Sequence, residues 1–325
     1  MTPLRVSFLG GGTDYPEHFS EYGGATLGGS VDKYTYITVS PLTEFFDHCI
    51  RISYSQTELC KSIEEIQHPS VRECLRFMGI DRGIEIAVVS DLPARTGLGS
   101  SSSFTVCLLH ALYAFKGRMV GREQLASEAF YVEREMIRER VGLQDQYTCA
   151  YGGLLHLSFS GGNHVSVRPL VISSARLQSL QSCLMMYYTG IQRKAHDVLE
   201  EQIARTKAGI LTSYLMQLHD LVKEGIEVLS SDRELDGFGE LLHQGWMLKR
   251  QLSQAISNPF IDDAYERARR AGAIGGKLMG AGSGGFFLLF VQPRNQGSVR
   301  RALSDMREVK FSFENQGSRL IFYQP

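Results

Sequence analysis

Apolar positions along the chain follow two rhythms, and the change from one to the other marks the elements. From Ile84 to Asp91 the residues read IEIAVVSD, an apolar, β-branched run that predicts a buried strand ending at Leu92-Pro93. A loop, ARTGLGSSSS, follows. Phe104, Cys107, Leu108, Ala111, Leu112 and Phe115 then recur at the spacing of one helix face, and Gly117 is placed to stop that helix. A second helical pattern runs from Arg122 to about Arg140, with Leu125, Ala129, Val132 and Met136 on one face, and ends near Gly142. Upstream, Leu4 to Leu9 and Thr35 to Val39 read as strands, and TLGGSVDKYTYITV as strand pairing around a glycine-permitted bend.

Beyond Pro169 the order changes. A strand at Cys183 to Tyr188 precedes long helical patterns at Ala195 to Glu227 and Phe238 to Ala255, then a shorter one at Ile261 to Ala271. Strands at Ile274 to Met279 and Gly285 to Val291, a helix near Val299 to Glu308 and a last strand complete the chain. This order predicts an α+β fold with helices against an antiparallel sheet. A boundary near residue 170 gives two domains, 1–170 and 171–325, as the 325-residue length suggests.

Composition narrows the partners. With 34 Lys and Arg against 35 Asp and Glu, a formal charge of -1 gives no electrostatic reason to expect nucleic acid or an anionic membrane. Small molecules are the expected partners. The longest apolar run, Phe286 to Val291, is far short of the roughly 20 residues of a membrane helix, and the first residues do not read as a secretion signal. A cytoplasmic protein is expected. The six cysteines form no C-x-x-C pair and the nine histidines no H-x-x-x-H pair, so neither zinc nor a disulfide framework is indicated. A hard cation held by oxygen ligands stays open.

Three glycine-rich stretches invite comparison. Pro93 to Ser103 carries Gly97 and Gly99 in front of a serine-rich helix start, where the backbone can turn tightly and helical N–H groups can meet a polyphosphate. No lysine lies between Gly97 and Phe104, so this is not the Walker loop. A serine-rich helix cap with nothing bound is the plain alternative. Lys277 to Gly285, KLMGAGSGG, contains G-x-G-x-x-G, but an apolar strand follows it instead of a helix, which excludes a dinucleotide fingerprint. A hairpin whose backbone approaches a ligand or the other domain fits better. The third, FLGGGTDYP at Phe8 to Pro16, shows no helix start rich in N–H groups, since Pro16 and Glu17 follow.

Pro93-x-x-x-Gly97-Leu-Gly99-Ser-Ser-Ser and the Lys277 to Gly285 segment, in this order, resemble the GHMP small-molecule kinases. RVSFLGGGTDY at Arg5 to Tyr15 is similar to the sugar-recognition segment of galactokinase-like members, and GLQDQ at Gly142 to Gln146 to their catalytic aspartate segment. Within the family, GGGTDYP, GGSVDKYTYITV, ELLHQGWMLKRQLS and SNPFIDDAY look most like the kinases of D-glycero-D-manno-heptose 7-phosphate. The resemblance implies an N-terminal domain like ribosomal protein S5 domain 2, a ferredoxin-like C-terminal domain, and ATP with Mg²⁺ beside a sugar phosphate in the cleft. A homodimer is compatible with it.

The same resemblance assigns roles. Pro93, Gly97, Leu98, Gly99, Ser100, Ser101 and Ser102 would hold ATP, with Ser101 and Glu133 reaching the metal. Glu133, twelve positions before Asp145, competes with Glu135 and Glu139, any of which also reads as a solvated helix face. Asp145 would accept or orient the sugar hydroxyl's proton, or simply cap a turn, and Arg5 would stabilise negative charge beside it. Gly11, Gly12, Thr13 and Asp14 would meet the sugar, although Asp14 also suits an Asx turn. Gly280 and Gly282 would approach the substrate, and Lys33, Arg193 and Lys194 are basic candidates for its phosphate, with solvated surface charge as the equal alternative. A kinase for a galactose- or fucose-type sugar or a free heptose, or a sensor without turnover, are the competing readings.

Overall fold

The computed structural model describes residues 1–94, 96–192 and 196–324. β1 (Thr2–Leu9) leads through the first glycine run into α1 (Pro16–Tyr22), and β2 (Gly24–Pro41) returns antiparallel to β1. A hairpin of β3 (Ile50–Ser53) and β4 (Thr57–Cys60), then α2 (Pro69–Met78) and β5 (Ile84–Ser90), precede α3 (Ser100–Phe115) and α4 (Arg122–Tyr131). After a π-helical turn at Val132–Met136 come α5 (Gln144–Tyr151), β6 (Leu154–Ser160) and β7 (His164–Pro169). The strands form one sheet in the order β4-β3-β5-β2-β6-β7, with β1 also on β2; only β3 and β5 run parallel. β2 is 18 residues long and serves β6 near its start, β1 along its middle and β5 near its end. Gly28 and Gly29 permit the crowding where two strands share it: a Cβ on Gly28 would lie 2.6 Å from the Val6 carbonyl oxygen.

The second half contains α6 (Ser174–Ser182), β8 (Leu184–Tyr188), α7 (His196–Lys207), α8 (Thr212–Leu229), α9 (Asp236–Lys249) and α10 (Pro259–Arg270). β9 (Ala273–Leu278), β10 (Phe286–Val291), α11 (Gln296–Ala302) and β11 (Arg307–Glu308) follow. The antiparallel order β11-β8-β10-β9 is the ferredoxin-like arrangement. Residues 309–324 then return to the first sheet: Asp32 N–H donates to Ser312 O, Glu314 N–H to Ser30 O, and Arg319 N–H to Met1 O.

β1 joins core and site because its side chains alternate. Leu4, Val6 and Phe8 enter the apolar core that holds Val222 of α8 and Phe238 of α9, while Arg5 and Ser7 turn to α5. Several expected elements are shorter than their periodicity suggests. The 122–140 helix changes to the π turn after Tyr131, the 195–227 helix is interrupted between Lys207 and Thr212, and the 238–255 helix stops at Lys249. Ile84 and Ile86 are buried, but the rest of β5 emerges into solvent, so it is a half-buried strand. All six cysteines are free thiols, and among the described residues no helix is long and apolar enough to cross a membrane.

Candidate active site

The candidate site lies where β1, α5 and the glycine–serine loop meet the β9–β10 hairpin. Arg5 is 4% exposed and grips Asp145 with two parallel bonds, Nε to Oδ1 and Nη2 to Oδ2, each 2.7 Å. Its third donor, Nη1, reaches the Gly97 carbonyl at 2.6 Å, and its backbone N–H donates to Leu98 O at 3.0 Å. Arg5 therefore ties the carboxylate to the glycine–serine loop. Burial pulls its guanidinium pKa down, but the charge and hydrogen bonds of Asp145 outweigh burial and leave it above its ordinary value. Asp145 stands inside the first turn of α5, and its side chain is 24% exposed. The fork-to-fork pairing leaves each carboxylate oxygen with a further lone pair for a hydroxyl.

The loop itself has the expected geometry. Gly97 and Gly99 take φ of +83° and +71°, and α3 begins at Ser100 with no side-chain cap and no acidic residue in its first turn. Its first-turn N–H groups and dipole suit phosphate. Leu98 is fully buried and anchors the loop, while Pro93 is exposed. Ser101 is exposed at the helix start, and it is Ser102 that donates to Glu133 Oε2 at 2.9 Å, alongside Gln146 Nε2 at 2.5 Å. Among the three competing glutamates Glu133 alone is buried, because the π turn widens the helix there. Burial lifts its pKa to about 7 against the opposing bond from Gln146. Among the described residues its Oε1 is buried without a hydrogen-bond partner. An orphaned carboxylate oxygen beside serine hydroxyls fits Mg²⁺, which prefers hard oxygen donors and shares them with phosphates.

The first glycine run forms a second wall. A helix follows it, α1, whose start is poor in N–H groups as expected: it begins at Pro16, whose missing N–H costs nothing at that position, and carries Glu17 in its first turn. Asp14, 2% exposed, accepts from Gly12 N–H at 3.0 Å and Gln144 N–H at 3.4 Å, and its backbone carbonyl accepts from Leu143 N–H. Burial, then Asp145, raise its pKa from 3.8 to about 6. Gly142 makes this close seat possible, since a Cβ there would lie 2.1 Å from Asp14 Oδ2. Thr13 has structural partners: its fully buried hydroxyl shares its one proton between Gly10 O and Ala25 O and accepts from Ala25 N–H. Gly12 packs on Leu215, Gln202 and Leu252 side chains.

The β9–β10 hairpin, expected to approach a ligand or the other domain, packs on protein at Gly280 and Gly282. A Cβ on Gly280 would lie 2.5 Å from Gly97 Cα, and one on Gly282 would lie 2.8 Å from the Ile256 backbone. Both glycines serve contact between segments. Lys33 pairs with Asp32 at 2.8 Å, level with the start of β1 and away from the Gly11–Asp14 turn, so the structure does not bring it to the site. Arg193 and Lys194 lie outside the described residues.

Two lysines escaped the sequence reading. Lys249, at the end of α9, is 8% exposed and donates to the carbonyls of Leu278 and Gly280, the first at 3.3 Å. Lys277 of β9 is 5% exposed and donates to Phe8 O at 3.0 Å. Burial, then Arg5, lower the Lys249 pKa to about 8, while burial, then Lys249 and Arg5, hold Lys277 well below the ordinary lysine range. A lysine inside the otherwise apolar AIGGKL strand was the available signal.

Comparison with known proteins agrees with this geometry. The profile of the GHMP kinases N terminal domain matches residues 61–153, and that of the GHMP kinases C terminal matches 222–309. A D-glycero-alpha-D-manno-heptose 7-phosphate kinase from Campylobacter jejuni is 28% identical over 98% of this chain and 96% of its own length. The bifunctional fucokinase/GDP-fucose pyrophosphorylase of Arabidopsis thaliana is 27% identical over 96% of this chain, which spans only 32% of that protein. Among solved structures, a D-glycero-D-manno-heptose 1-phosphate kinase from Bacteroides thetaiotaomicron superposes with a TM-score of 0.78 over 99% of this chain and 98% of its own, at 24% identity.

Proposed function

The chain belongs to the GHMP kinases, and from that premise we propose that it is a sugar kinase transferring the γ-phosphoryl group of ATP to the anomeric hydroxyl of D-glycero-D-manno-heptose 7-phosphate, giving the 1,7-bisphosphate. The observation that carries this reading is Arg5, one buried side chain bonded to both the Asp145 carboxylate and the Gly97 carbonyl. A group so placed fixes the acceptor side of the reaction against the donor side, which is most of what phosphoryl transfer asks of a protein. The choice of heptose 7-phosphate follows the Campylobacter jejuni relative, which matches this chain nearly end to end.

In this mechanism the sugar hydroxyl donates to Asp145, which takes or orients its proton as the oxygen attacks phosphorus and the bond to ADP breaks. Arg5 keeps Asp145 ionised and offsets charge at the phosphoryl group. The first turn of α3 receives the triphosphate. Glu133, through Oε1, and Ser101 or Ser102 would hold Mg²⁺, whose contribution is to neutralise phosphate charge. Asp14 reads sugar hydroxyls from the opposite wall. The product suits a cytoplasmic route to nucleotide-activated heptose for bacterial surface polysaccharides.

Measuring ADP release with heptose 7-phosphate, free heptose, galactose and fucose tests the reading. Heptose 7-phosphate should give the highest kcat/KM, and Asp145→Asn should lower kcat by about 10²- to 10⁴-fold with ATP still bound. Preference for an unphosphorylated sugar would overturn the substrate, and silence with every sugar would favour a sensor. Wild-type turnover in the variant would remove Asp145 from the chemistry.

A further inference from the structure

The three glycines of the first run have different surroundings. A Cβ on Gly10 would lie 1.9 Å from Ala25 O, and one on Gly12 would press on the Leu215, Gln202 and Leu252 side chains of the second half, so both glycines are explained by protein packing. Gly11 is different. Its φ lies outside the left-handed range, and the nearest atoms to a Cβ there would be Ser7 Oγ at 3.5 Å, Gln144 Nε2 at 3.8 Å and Lys277 Nζ at 3.8 Å. These are ordinary contact distances, so folding does not require a glycine at this position. What the missing side chain leaves is room for about one methyl group, bordered by three polar atoms.

The lining is rich in donors. Ser7 Oγ donates to Gln144 Oε1 at 2.8 Å, which fixes the amide with its nitrogen facing the space. Among the described residues Gln144 Nε2 has no acceptor, and Lys277 uses one of its three protons, on Phe8 O. Charge points the same way. Arg5 is matched by Asp145, and Asp14 is the remaining nearby carboxylate for Lys249 and Lys277, neither of which forms an ion pair among the described residues. Arg5, Lys249 and Lys277 face Asp14 and Asp145 in a buried region, so a bound anion would hold Lys277 in its charged form and balance the site.

The two lysines divide by what they hold. Lys249 binds two carbonyls of the hairpin that presses on Gly97, and so braces the phosphate loop. Lys277 is held on β1 and faces the Gly11 turn. Resting on the sugar phosphate reading above, we propose that Lys277, with Gln144 and the space at Gly11, seats the phosphate carried by the acceptor sugar and selects phosphorylated over free sugar. It is a specificity residue supplied by the second half of the chain to a turn of the first. The nucleotide phosphates remain with α3.

Lys277→Met, Lys277→Arg and Gly11→Ala, assayed in the full chain, test this. Lys277→Met should raise KM for heptose 7-phosphate by about 100-fold, leave KM for ATP within about twofold, and erase the preference over free heptose by the same factor. Lys277→Arg should recover part of that preference. Gly11→Ala should show the same split with Lys277 intact, which keeps the test open if the methionine variant fails to fold. Equal losses on both sugars, or a raised KM for ATP, would overturn the assignment. If the wild-type protein rejects heptose 7-phosphate, the substrate reading fails by itself. Inorganic phosphate, titrated without nucleotide in a melting assay, then decides Lys277 separately: stabilisation in wild type that Lys277→Met and Gly11→Ala lose upholds it, and identical responses overturn it.

Discussion

Two turns in this protein pass from a strand through glycines into a helix, and they are built for different partners. Gly97 to Gly99 opens α3, whose 16 residues begin with four serines and no acid in the first turn. Gly10 to Gly12 opens α1, whose seven residues begin with Pro16 and Glu17. The second helix offers one N–H fewer at its start and places a carboxylate there, which Arg134 of the π turn binds at 2.5 Å. Glycine content and the order of strand, turn and helix are alike. The helix's first turn separates a loop suited to phosphate from a turn that presents one aspartate and three polar atoms around Gly11.

The sharpest way to break the comparison is to add one methyl group to each turn. Gly97→Ala forces a left-handed residue and puts Cβ 2.4 Å from Met279 O, so either the loop or the hairpin must move. Strain and overpacking together should cost about 3 kcal/mol, lower Tm by several degrees and raise KM for ATP. Gly11→Ala meets neither problem, and Tm should hold or rise slightly, while only the sugar KM suffers. A large loss of Tm in Gly11→Ala would show that the first run is as tightly packed as the second.

The second test concerns charge, at Asp14. Its carboxyl has a pKa of about 6 in the folded protein against 3.8 when unperturbed. The folded state thus holds a proton that the unfolded state has released, and stability falls as pH rises between those values and then stays level. Two units correspond to about 3 kcal/mol. Asp14→Asn should regain most of this above pH 6, less the bond from Gln144 N–H that its amide cannot accept, and should gain little below pH 4. Melting curves at pH 4 and pH 7.5 measure it; equal effects at both would mean the carboxylate is not strained by burial. The stabilised variant should bind sugar poorly.

Much of this was legible in the sequence, and the failures have physical causes. β1, α3, α5 and the β9–β10 pair have clean periodicity, and Asp145, Arg5 and Gly97 converge as the motifs imply. Pro16 and Glu17 mark a helix start poor in N–H groups, and the same two residues, proline at the first position and an early acid, are also helix-start signals. Thr13 looked like a sugar contact because nothing in the sequence shows that Ala25 lies beside it. Lys277 and Lys249 come from segments more than 200 positions from Arg5, and only the packing of the two halves reveals that they are buried near Asp14 without an ion pair among the described residues. The π turn shifts register by a residue, so spacing could identify Glu133 but could not say which serine faces it.

That last ambiguity yields the smallest effect and separates fold from metal. Ser102→Ala removes the 2.9 Å bond to Glu133 Oε2 and leaves the Gln146 bond in place, so stability should fall by about 1 kcal/mol. Ser101 is exposed and its hydroxyl is not bonded to Glu133, so Ser101→Ala should leave Tm unchanged and raise the Mg²⁺ concentration needed for half-maximal rate. Both readouts come from the same two proteins, by melting and by metal titration of ADP release. If Ser102→Ala alone raises the Mg²⁺ requirement, the serine turned inward is the metal ligand. The phosphate loop would then share its cation with the buried face of α3, and the exposed Ser101 would serve the nucleotide only.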